Sequence, residues 1–426
     1  MDTIIERCAG LDIGKRTLTA CVRTSDGQGG RRSVTRTFRT MTRDLLALRD
    51  WLVSEGVSLV GMEATSTYWK PPFYLLEDTC TCWLLNAHHL KAVPGRKTDV
   101  RDAEWIAQLV ECGLVRPSFV PPPPIRRLRN LTRYRTAVLG ERTREKQRLE
   151  KLLEDTGIKL SAVATDILGV SGRAMLAALT AGVDDPAATA QLARGRLRRK
   201  IPELVDALHG HFEAHHALLV SEMLARIDAA GATVERLDAE IERELVPFAE
   251  ALGLLLTIPG VGRRTAEVLI AETGADMDRF PSAAHLASWA GVCPGVNESA
   301  GRRKSSRARP GDRWLRSALV EAAHAAARAK RTYLAAQYAR LAGRRGAGRA
   351  ALAVAHSLLV IAYHVLERRQ PYAELGAEFL LRRHAADAHI RRLVRQLERL
   401  GQQVTLTSLG EPAVPPGSGF QPVAAA

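Results

Sequence analysis

A run of four prolines at residues 121–124 is the feature that most constrains how this chain can fold. Proline lacks a backbone N–H and fixes φ, so four in succession sustain neither a helix nor a central strand. A chain of 426 residues is also too long for one ordinary hydrophobic core. We therefore interpret the run as a stiff spacer and expect three domains, at residues 1–120, 121–250 and 251–426.

The residues before the prolines predict a mixed α/β domain. Three strand patterns come first, at CAGLDIG, TLTACVRT and RSVTRTF, and helices then alternate with strands as far as the prolines. The resulting order, βββαβαβα, suits a mixed sheet covered by helices, and it is the order of the ribonuclease H-like fold.

Helix-forming residues dominate after the prolines. Ile227, Val234 and Ile241 fall seven residues apart, and Leu237 sits between them at heptad spacing. This spacing predicts a coiled-coil-like hairpin or arm in the middle domain, and we expect the C-terminal domain to be mostly α-helical as well.

One helix of this arm is strongly basic. Its arginines could lie along a phosphate backbone or on a solvated helix face, and the charge pattern alone does not choose between the two. The arginines concerned are Arg126, Arg127, Arg129, Arg133, Arg135, Arg142 and Arg144.

The charge of the whole chain favours a polyanionic partner. It has 61 Lys+Arg against 46 Asp+Glu, a formal net charge of +15. Each cation that neutralises a phosphate releases condensed counterions, so nucleic acid is favoured over an anionic membrane surface. The apolar stretch from Ala350 carries His356, Ser357 and His364 and is shorter than a spanning helix needs. We expect a buried helix there, no secretory signal and no membrane partner.

Cysteine and histidine patterns give little sign of a metal centre. The six cysteines include no CxxC pair, which favours reduced thiols in a cytoplasmic protein without structural zinc or disulfides. Four histidines cluster at His209, His211, His215 and His216. With no cysteine or carboxylate set to complete a site, we interpret them as a polar helix face.

Four acidic residues are better candidates for chemistry. Asp12 lies in the first strand, Glu63 closes a later strand, and Asp99 and Asp102 stand three apart at a helix start, on one face. If they converge, their mutual repulsion and oxygen ligands would suit Mg²⁺ or Mn²⁺. Two such ions can clamp an in-line phosphoryl displacement. Singly, each acid could instead be a turn residue, a surface charge or a helix cap.

A glycine-containing turn lies further along the chain. Residues 258–262, IPGVG, separate two helical patterns and resemble the turn of a helix-hairpin-helix. There Gly260 and Gly262 would let backbone N–H groups approach a phosphate. A plain helix–helix turn is the alternative.

A serine among small residues follows this turn. Ser299 precedes Ala300 and Gly301, so a bulky phosphodiester could reach it, and nearby cations could hold the phosphate oxygens. Serine before glycine is also ordinary loop chemistry, and Ser305 and Ser306 lie close by. The cations proposed to contact nucleic acid are Arg302, Arg303, Lys304 and Arg307.

Taken together, these motifs resemble the DEDD transposases of bacterial insertion sequences, the group associated with a bridge RNA. The resemblance runs from about Cys8 to about Leu406. Its motifs are GLDIGK, MEATSTYW, KTDVRDAEWIA, LTIPGVGRRTA, LASWAGVCPGVNESAGRRK and AHSLLVIAYHVLERRQPY.

The resemblance implies a RuvC-like first domain that holds the metal through Asp12, Glu63, Asp99 and Asp102. It implies that Ser299 of the distal domain attacks a DNA phosphate and forms a phosphoserine link, completing a composite centre. A noncoding bridge RNA would pair with donor and target DNA, and the helical middle would serve assembly and the grip on RNA or DNA, in a dimer or tetramer. A bacterial, nucleoid-associated cytoplasmic protein follows from this reading. Alignment around Ser299 leaves Ser305 and Ser306 as alternatives.

Two rival functions remain open from the sequence. A Holliday-junction-type nuclease would cut with metal-activated water and leave no protein on DNA. A non-enzymatic nucleic-acid scaffold would tolerate replacement of all four acidic residues.

Overall fold

The computed structural model describes residues 5–26, 30–87, 90, 102–294, 297–299, 302–305, 308, 310–401 and 404–406. The chain divides into two compact units, Met1–Val120 and Pro121–Ala426. The division falls at the start of the proline run. The expected further boundary near residue 250 stays a prediction.

The first unit is a five-stranded sheet with helices on both faces, so the predicted mixed α/β class is confirmed. The strand order is β3-β2-β1-β4-β5. Strand β1 pairs antiparallel with β2 and parallel with β4, and β4 pairs parallel with β5. The elements are β1 (Cys8–Ile13), β2 (Thr17–Ser25), β3 (Arg31–Arg39), α1 (Thr42–Ser54), β4 (Leu59–Glu63), α2 (Lys70–Leu76), β5 (Thr81–Leu85) and α3 (Asp102–Glu111).

Alternation along β1 and β4 divides their side chains between two cores. Leu11 and Met62 are fully buried and pack in one core with Leu48 of α1 and Leu76 of α2. The residues between them face the opposite way, because successive strand residues point to opposite faces. That second face is covered by α3.

Two glycines let α3 lie directly on the sheet. A Cβ at Gly10 would meet the Ala103 carbonyl oxygen and the Ala107 nitrogen at 2.3 Å, and one at Gly61 would meet Val110 at 2.4 Å. Any larger residue would push the helix away, so both positions require glycine for this close approach.

A buried carboxylate anchors the far end of α3. Glu111, 2% exposed, accepts a hydrogen bond from Arg23 Nε at 2.8 Å and forms a second ion pair with Arg31. Arg23 lies opposite Cys8, at the beginning of β1. The helix therefore runs antiparallel to β1, with its first residue toward the end of that strand.

The second unit contains two long helices and several shorter ones. Its helices are α4 (Pro123–Asp155), α5 (Leu160–Val163), α6 (Val170–Thr180), α7 (Pro186–Ala190), α8 (Ile201–Leu208), α9 (Ala214–Glu244), α10 (Ala249–Leu256), α11 (Arg263–Thr273), α12 (Ala283–Trp289), α13 (Arg313–Arg328), α14 (Tyr333–Arg345), α15 (Ala347–Arg368) and α16 (Phe379–Arg399). A two-stranded hairpin joins β6 (Asn297–Ser299) and β7 (Arg302–Ser305).

The proline run is only partly a spacer. Pro123 and Pro124 form the first turn of α4, with Pro122 as its extended N-cap. The expectation that the run excludes helix was wrong at these two positions, because the first helical residues need no N–H partner and φ is already helical.

The predicted heptad is confirmed. Val220, Ile227, Val234 and Ile241 are the buried residues of α9, and they pack against α4. The remaining predicted position, Leu237, is half-buried. The two helices thus form the expected arm.

The apolar stretch near residue 350 is a buried helix, as predicted. Helix α15 is 22 residues long, and most of its apolar part is buried inside the protein. By length and composition alone the helix could cross a membrane. Tyr363 donates from its hydroxyl to the Phe280 carbonyl at 3.2 Å, which ties the helix to its neighbours.

Candidate metal centre and nucleic-acid interface

Asp12 and Glu63 end neighbouring parallel strands. The β1–β4 register pairs Gly10 with Gly61 and Leu11 with Met62. Asp12 and Glu63 are the next residues on each strand, and alternation places both on the face of the two glycines. The fold thus brings two acids that are 51 positions apart in the sequence to adjacent positions at one end of the sheet.

Asp102 reaches the same end from the helix. It is the first residue of α3, and the next residue, Ala103, lies over Gly10. Asp12, Glu63 and Asp102 are each half-buried. Of the four predicted acids, Asp99 lies outside the described residues.

The donor set suits a hard divalent cation. Three carboxylates on one face offer only oxygen ligands, the preference of Mg²⁺ and Mn²⁺, and a cation would relieve their repulsion. Among the described residues, Asp12, Glu63 and Asp102 do not bring three ligand atoms within 4.8 Å of one another. In the part of the chain that is described, three metal-ligating side chains whose ligand atoms all lie within 4.8 Å occur at Glu213, His215 and His216.

That histidine group corrects one sequence interpretation. We expected no carboxylate to accompany the histidines, but Glu213 lies between them and accepts from His211 Nε2 at 2.7 Å. The sequence carries this group as HxExHH.

Ser299 lies beside the turn of the β6–β7 hairpin. It pairs with Arg302 across the strands, whereas Ser305 pairs with Asn297 at the open end. Glu298 pairs with Arg303, and a register shift follows Asn297. The sequence predicted a loop here, and the structure has a short hairpin with Ser299 next to its tip. Ser306 and Arg307 lie outside the described residues.

The two glycines of the IPGVG turn have different surroundings. Gly260 adopts φ +89°, and a Cβ there would meet the Ala322 carbonyl and Ala326 of α13 at 2.6 Å. Gly262 is the extended N-cap of α11, and a Cβ there would meet nothing within 4 Å. Gly260 therefore serves packing, while Gly262 faces open space at a helix N-terminus. A contact of either with nucleic acid stays a prediction.

The basic face of α4 is largely neutralised within the protein. Arg133 forms a two-pronged hydrogen bond with Glu272 at 2.8 and 2.7 Å, and Arg129 lies 2.9 Å from the same carboxylate. Arg135, 2% exposed, pairs with Asp238 at 2.6 Å and with Glu267 at 2.7 Å.

The solvated-face interpretation was therefore wrong for Arg129 and Arg135, whose side chains are 15% and 3% exposed, whereas that of Arg133 is 33% exposed. These arginines join α4 to α9 and α11. A contact with a phosphate backbone stays a prediction. Burial outweighs the attraction of Arg133 and Arg129 and raises the pKa of Glu272, whereas the hydrogen bond from Arg133 would alone lower it.

A cavity of about 340 Å³ lies beside this network, between α4, α11 and α13. Arg133 and Arg264 line it together with Glu272 and Glu321, and Trp314 forms part of its wall. Charges of both signs therefore face the cavity.

Comparison with known proteins gives the class. Residues 9–158 match the DEDD transposase model of the IS110 type, and residues 252–339 match the transposase model of the IS116/IS110/IS902 family. The first match contains all four predicted acids, and the second contains the IPGVG turn and the Ser299 hairpin. Together the two matches span more than half of the chain.

One curated relative shares part of the sequence. The insertion element IS110 uncharacterized 43.6 kDa protein of Streptomyces coelicolor is 38% identical over 128 residues, which are 29% of this chain and 31% of the relative. The chain thus covers about a third of that relative's length. Both models describe transposases, and the first is of the DEDD type. The chain belongs to the IS110 family of insertion-sequence transposases.

Proposed function

We propose that this protein cuts and rejoins DNA as the transposase of a bacterial insertion sequence. The observation that carries the proposal is the position of Asp12 and Glu63 at the ends of adjacent parallel strands, with Asp102 starting the helix on the same face. The strand order 3-2-1-4-5, with β2 antiparallel to β1, supports a ribonuclease H-like, RuvC-like domain.

Asp12, Glu63, Asp99 and Asp102 are the proposed ligands of Mg²⁺ or Mn²⁺. Oxygen-only ligands at an accessible sheet end suit either ion. A bound ion would stabilise the charge that develops on the phosphate oxygens during phosphoryl transfer. The four carboxylates hold and orient the ion, and their substitution by amides would weaken its binding.

Ser299 is the proposed nucleophile. Its oxygen attacks a DNA phosphorus, a bond from phosphorus to Oγ forms, and the bond from phosphorus to one deoxyribose oxygen breaks. The serine proton ends on that deoxyribose oxygen, which leaves as a hydroxyl. Attack on the phosphoserine by a hydroxyl of another strand rejoins the DNA and restores the serine.

Basic residues around the hairpin are proposed to hold the phosphate. Arg302 and Arg303 lie opposite Ser299 and Glu298 in the hairpin, and Lys304 and Arg307 follow in sequence. Guanidinium groups match phosphate oxygens in charge and geometry. The helix-hairpin-helix interpretation of the IPGVG turn adds Gly262 to this proposed interface, because helix N-termini favour anions.

A bridge RNA that pairs with donor and target DNA is the proposed guide. Its support is the family membership together with the net charge of +15, which suits sequence-independent contact with phosphate backbones. The protein would act in the bacterial cytoplasm, at the nucleoid.

Self-association is supported by the exposed face of α16. Ile390, Leu393 and Leu397 of this helix and its C-cap residue Leu400, together called the leucine stripe, follow heptad spacing and are 43%, 44%, 43% and 72% exposed. The residues flanking this leucine stripe at positions 394 and 396 are Val and Gln, so like charges do not oppose a second copy. The arginines of this segment occupy the other side of the helix. We infer that a second copy of the chain covers the stripe, as a dimer or within a tetramer.

The test of the catalytic proposal is a denaturing gel of protein incubated with Mg²⁺, the flanking noncoding RNA and end-labelled donor DNA. Wild type should give a covalent protein–DNA band, which Ser299→Ala and Asp12→Asn both lose. Ser305→Ala and Asp50→Asn, which replace a neighbouring serine and a surface acid, should keep it.

Each of the other outcomes would support a rival function or a different nucleophile. Cleavage that survives Ser299→Ala but not Asp12→Asn would identify a metal-dependent nuclease. A band lost only in Ser305→Ala would move the nucleophile. Binding without any cleavage in wild type would support a scaffold.

A further inference from the structure

A second group of metal-ligating side chains lies in the other unit, at the start of α9. Glu213, the N-cap residue, His215 and His216 offer ligand atoms that all lie within 4.8 Å of one another. His211 joins them, because its Nε2 is 2.7 Å from Glu213 Oε1. We propose that these four residues form a Zn²⁺ site that is separate from the carboxylate centre.

The spacing suits a small ion. His215 Nδ1 lies 3.1 Å from Glu213 Oε2, and the rings of His215 and His216 have centroids 3.7 Å apart. Ligand atoms bound to one tetrahedral Zn²⁺ at its usual bond lengths are about 3.3 Å apart. The separation of Glu213 Oε2 and His215 Nδ1 is therefore close to that between two ligands of one ion.

The chemistry separates this group from the carboxylate site. Imidazole nitrogen with one carboxylate oxygen suits Zn²⁺ and its neighbours in the first transition row, whereas Mg²⁺ prefers oxygen ligands alone. Excess Mg²⁺ should thus occupy the acids of the first unit and leave the histidine group for Zn²⁺.

The same residues also cap a helix, and the two roles can be distinguished. The Glu213 N–H donates to His216 Nδ1 at 3.0 Å, an interaction that positions both residues at the helix start. His211 and His215 take no part in that bond. Their imidazoles can therefore be removed without removing the cap.

The position of the proposed site links ion binding to the stability of the arm. The His211 N–H donates to the carbonyl of Thr156 at 2.7 Å, and Thr156 is the C-cap of α4. A metal bound to His211 and to the first turn of α9 would clamp the chain where the two long helices meet. Binding to the folded state alone would raise the stability of the arm.

The experiment titrates Zn²⁺ into the untagged full chain, freed of metal by chelation and held in excess Mg²⁺. Calorimetry gives the number and affinity of bound ions, and circular dichroism gives the thermal midpoint. The variants are His211→Ala and His215→Ala. The matched control is His209→Ala, which removes an exposed imidazole from the same segment but not from the group.

Wild type and His209→Ala should each bind one more Zn²⁺ ion than His215→Ala. If His215→Ala still binds that ion, its affinity should be lower by a factor of about ten or more. Zn²⁺ should raise the thermal midpoint of those two proteins and leave that of His215→Ala and His211→Ala unchanged. Equal Zn²⁺ binding by wild type and His215→Ala, or an equal shift of the midpoint, would overturn the proposal.

Discussion

Glu111 shows how one buried side chain sets the geometry of the proposed metal centre. It holds the last turn of α3 to Arg23 and Arg31, at the opposite end of the helix from Asp102. A helix fixed at this end and pressed against two glycines presents its first residue to the ends of β1 and β4. Glu111 thus acts on the proposed site through the helix.

Replacing Glu111 by Gln should destabilise the protein by about 3 kcal/mol, because two largely buried arginines would lose their carboxylate. The free energy of unfolding in urea measures this cost. Glu104→Gln changes the charge of the same helix at a more exposed position and should cost less than about 1 kcal/mol. Equal effects of the two substitutions would show that the ion pairs contribute little.

The sequence predicted the convergence of Asp12 and Glu63 at one end of the sheet but not this anchor. Asp12 and Glu63 end strands whose hydrophobic pattern is clear, so their convergence could be anticipated from strand order. Glu111 follows the amphipathic pattern of a surface helix, and its partner Arg23 is 88 positions away. Pairing at such a distance depends on the register of strands, which local patterns do not contain.

At the scale of elements, the IPGVG turn combines a packing role with a proposed binding role. Gly260→Ala should destabilise the protein by about 2 kcal/mol or more, because a Cβ there would meet α13 and the residue has positive φ. Gly262→Ala should cost no more than about 1 kcal/mol, since its backbone is extended and the space is open.

The two substitutions also separate folding from binding. Thermal midpoints measure the first, and filter binding of double-stranded DNA measures the second. If the N-terminus of α11 contacts phosphate, Gly262→Ala should weaken DNA binding several-fold while it keeps the wild-type midpoint. Wild-type DNA affinity in Gly262→Ala would remove this turn from the interface.

Helix α15 carries a histidine that links stability to pH. Burial lowers the pKa of His356, so the folded protein keeps it neutral while the unfolded chain takes up a proton near its ordinary pKa of 6.5. Stability should therefore fall as the pH drops below about 6.5. His356→Gln should reduce the loss of thermal midpoint between about pH 7.5 and pH 5.5.

The exposed His324 of α13 provides the comparison. His324→Gln should retain the wild-type dependence on pH. The same dependence in both variants would show that other groups cause the acid sensitivity.

The helices of the arm show that apolar spacing predicts structure better than charge pattern does. The heptad of α9 was predicted because apolar spacing reports burial directly. The ion-pair partners of the α4 arginines were not predicted, because the sequence position of a charged residue does not identify the residue with which it pairs. Glu267 and Glu272, which neutralise Arg135 and Arg133, lie more than 130 positions further along the chain.

At the scale of the whole molecule, only part of the positive charge is available to nucleic acid. Arg127, Arg129, Arg133 and Arg135 of α4 form ion pairs with carboxylates of the same unit, so part of the excess available to nucleic acid lies elsewhere. The residues of β7 and the outer face of α16 are such places, since Arg391, Arg395 and Arg399 lie on the side of that helix away from the leucine stripe. Self-association through the stripe would therefore leave this basic face exposed.

That arrangement leads to a prediction about assembly. Replacing Leu393 and Leu397 together by Asp places two charges in the seam that a second copy would cover, and the dissociation constant should rise about 100-fold or more. Light scattering after size exclusion should then report a smaller mass than for wild type. The matched control replaces Leu218 and Leu219 of α9, which are 63% and 42% exposed, by Asp and should keep the wild-type mass. An unchanged mass in the Leu393 and Leu397 variant would place the contact between copies on another surface, because a coiled-coil seam does not tolerate two buried charges.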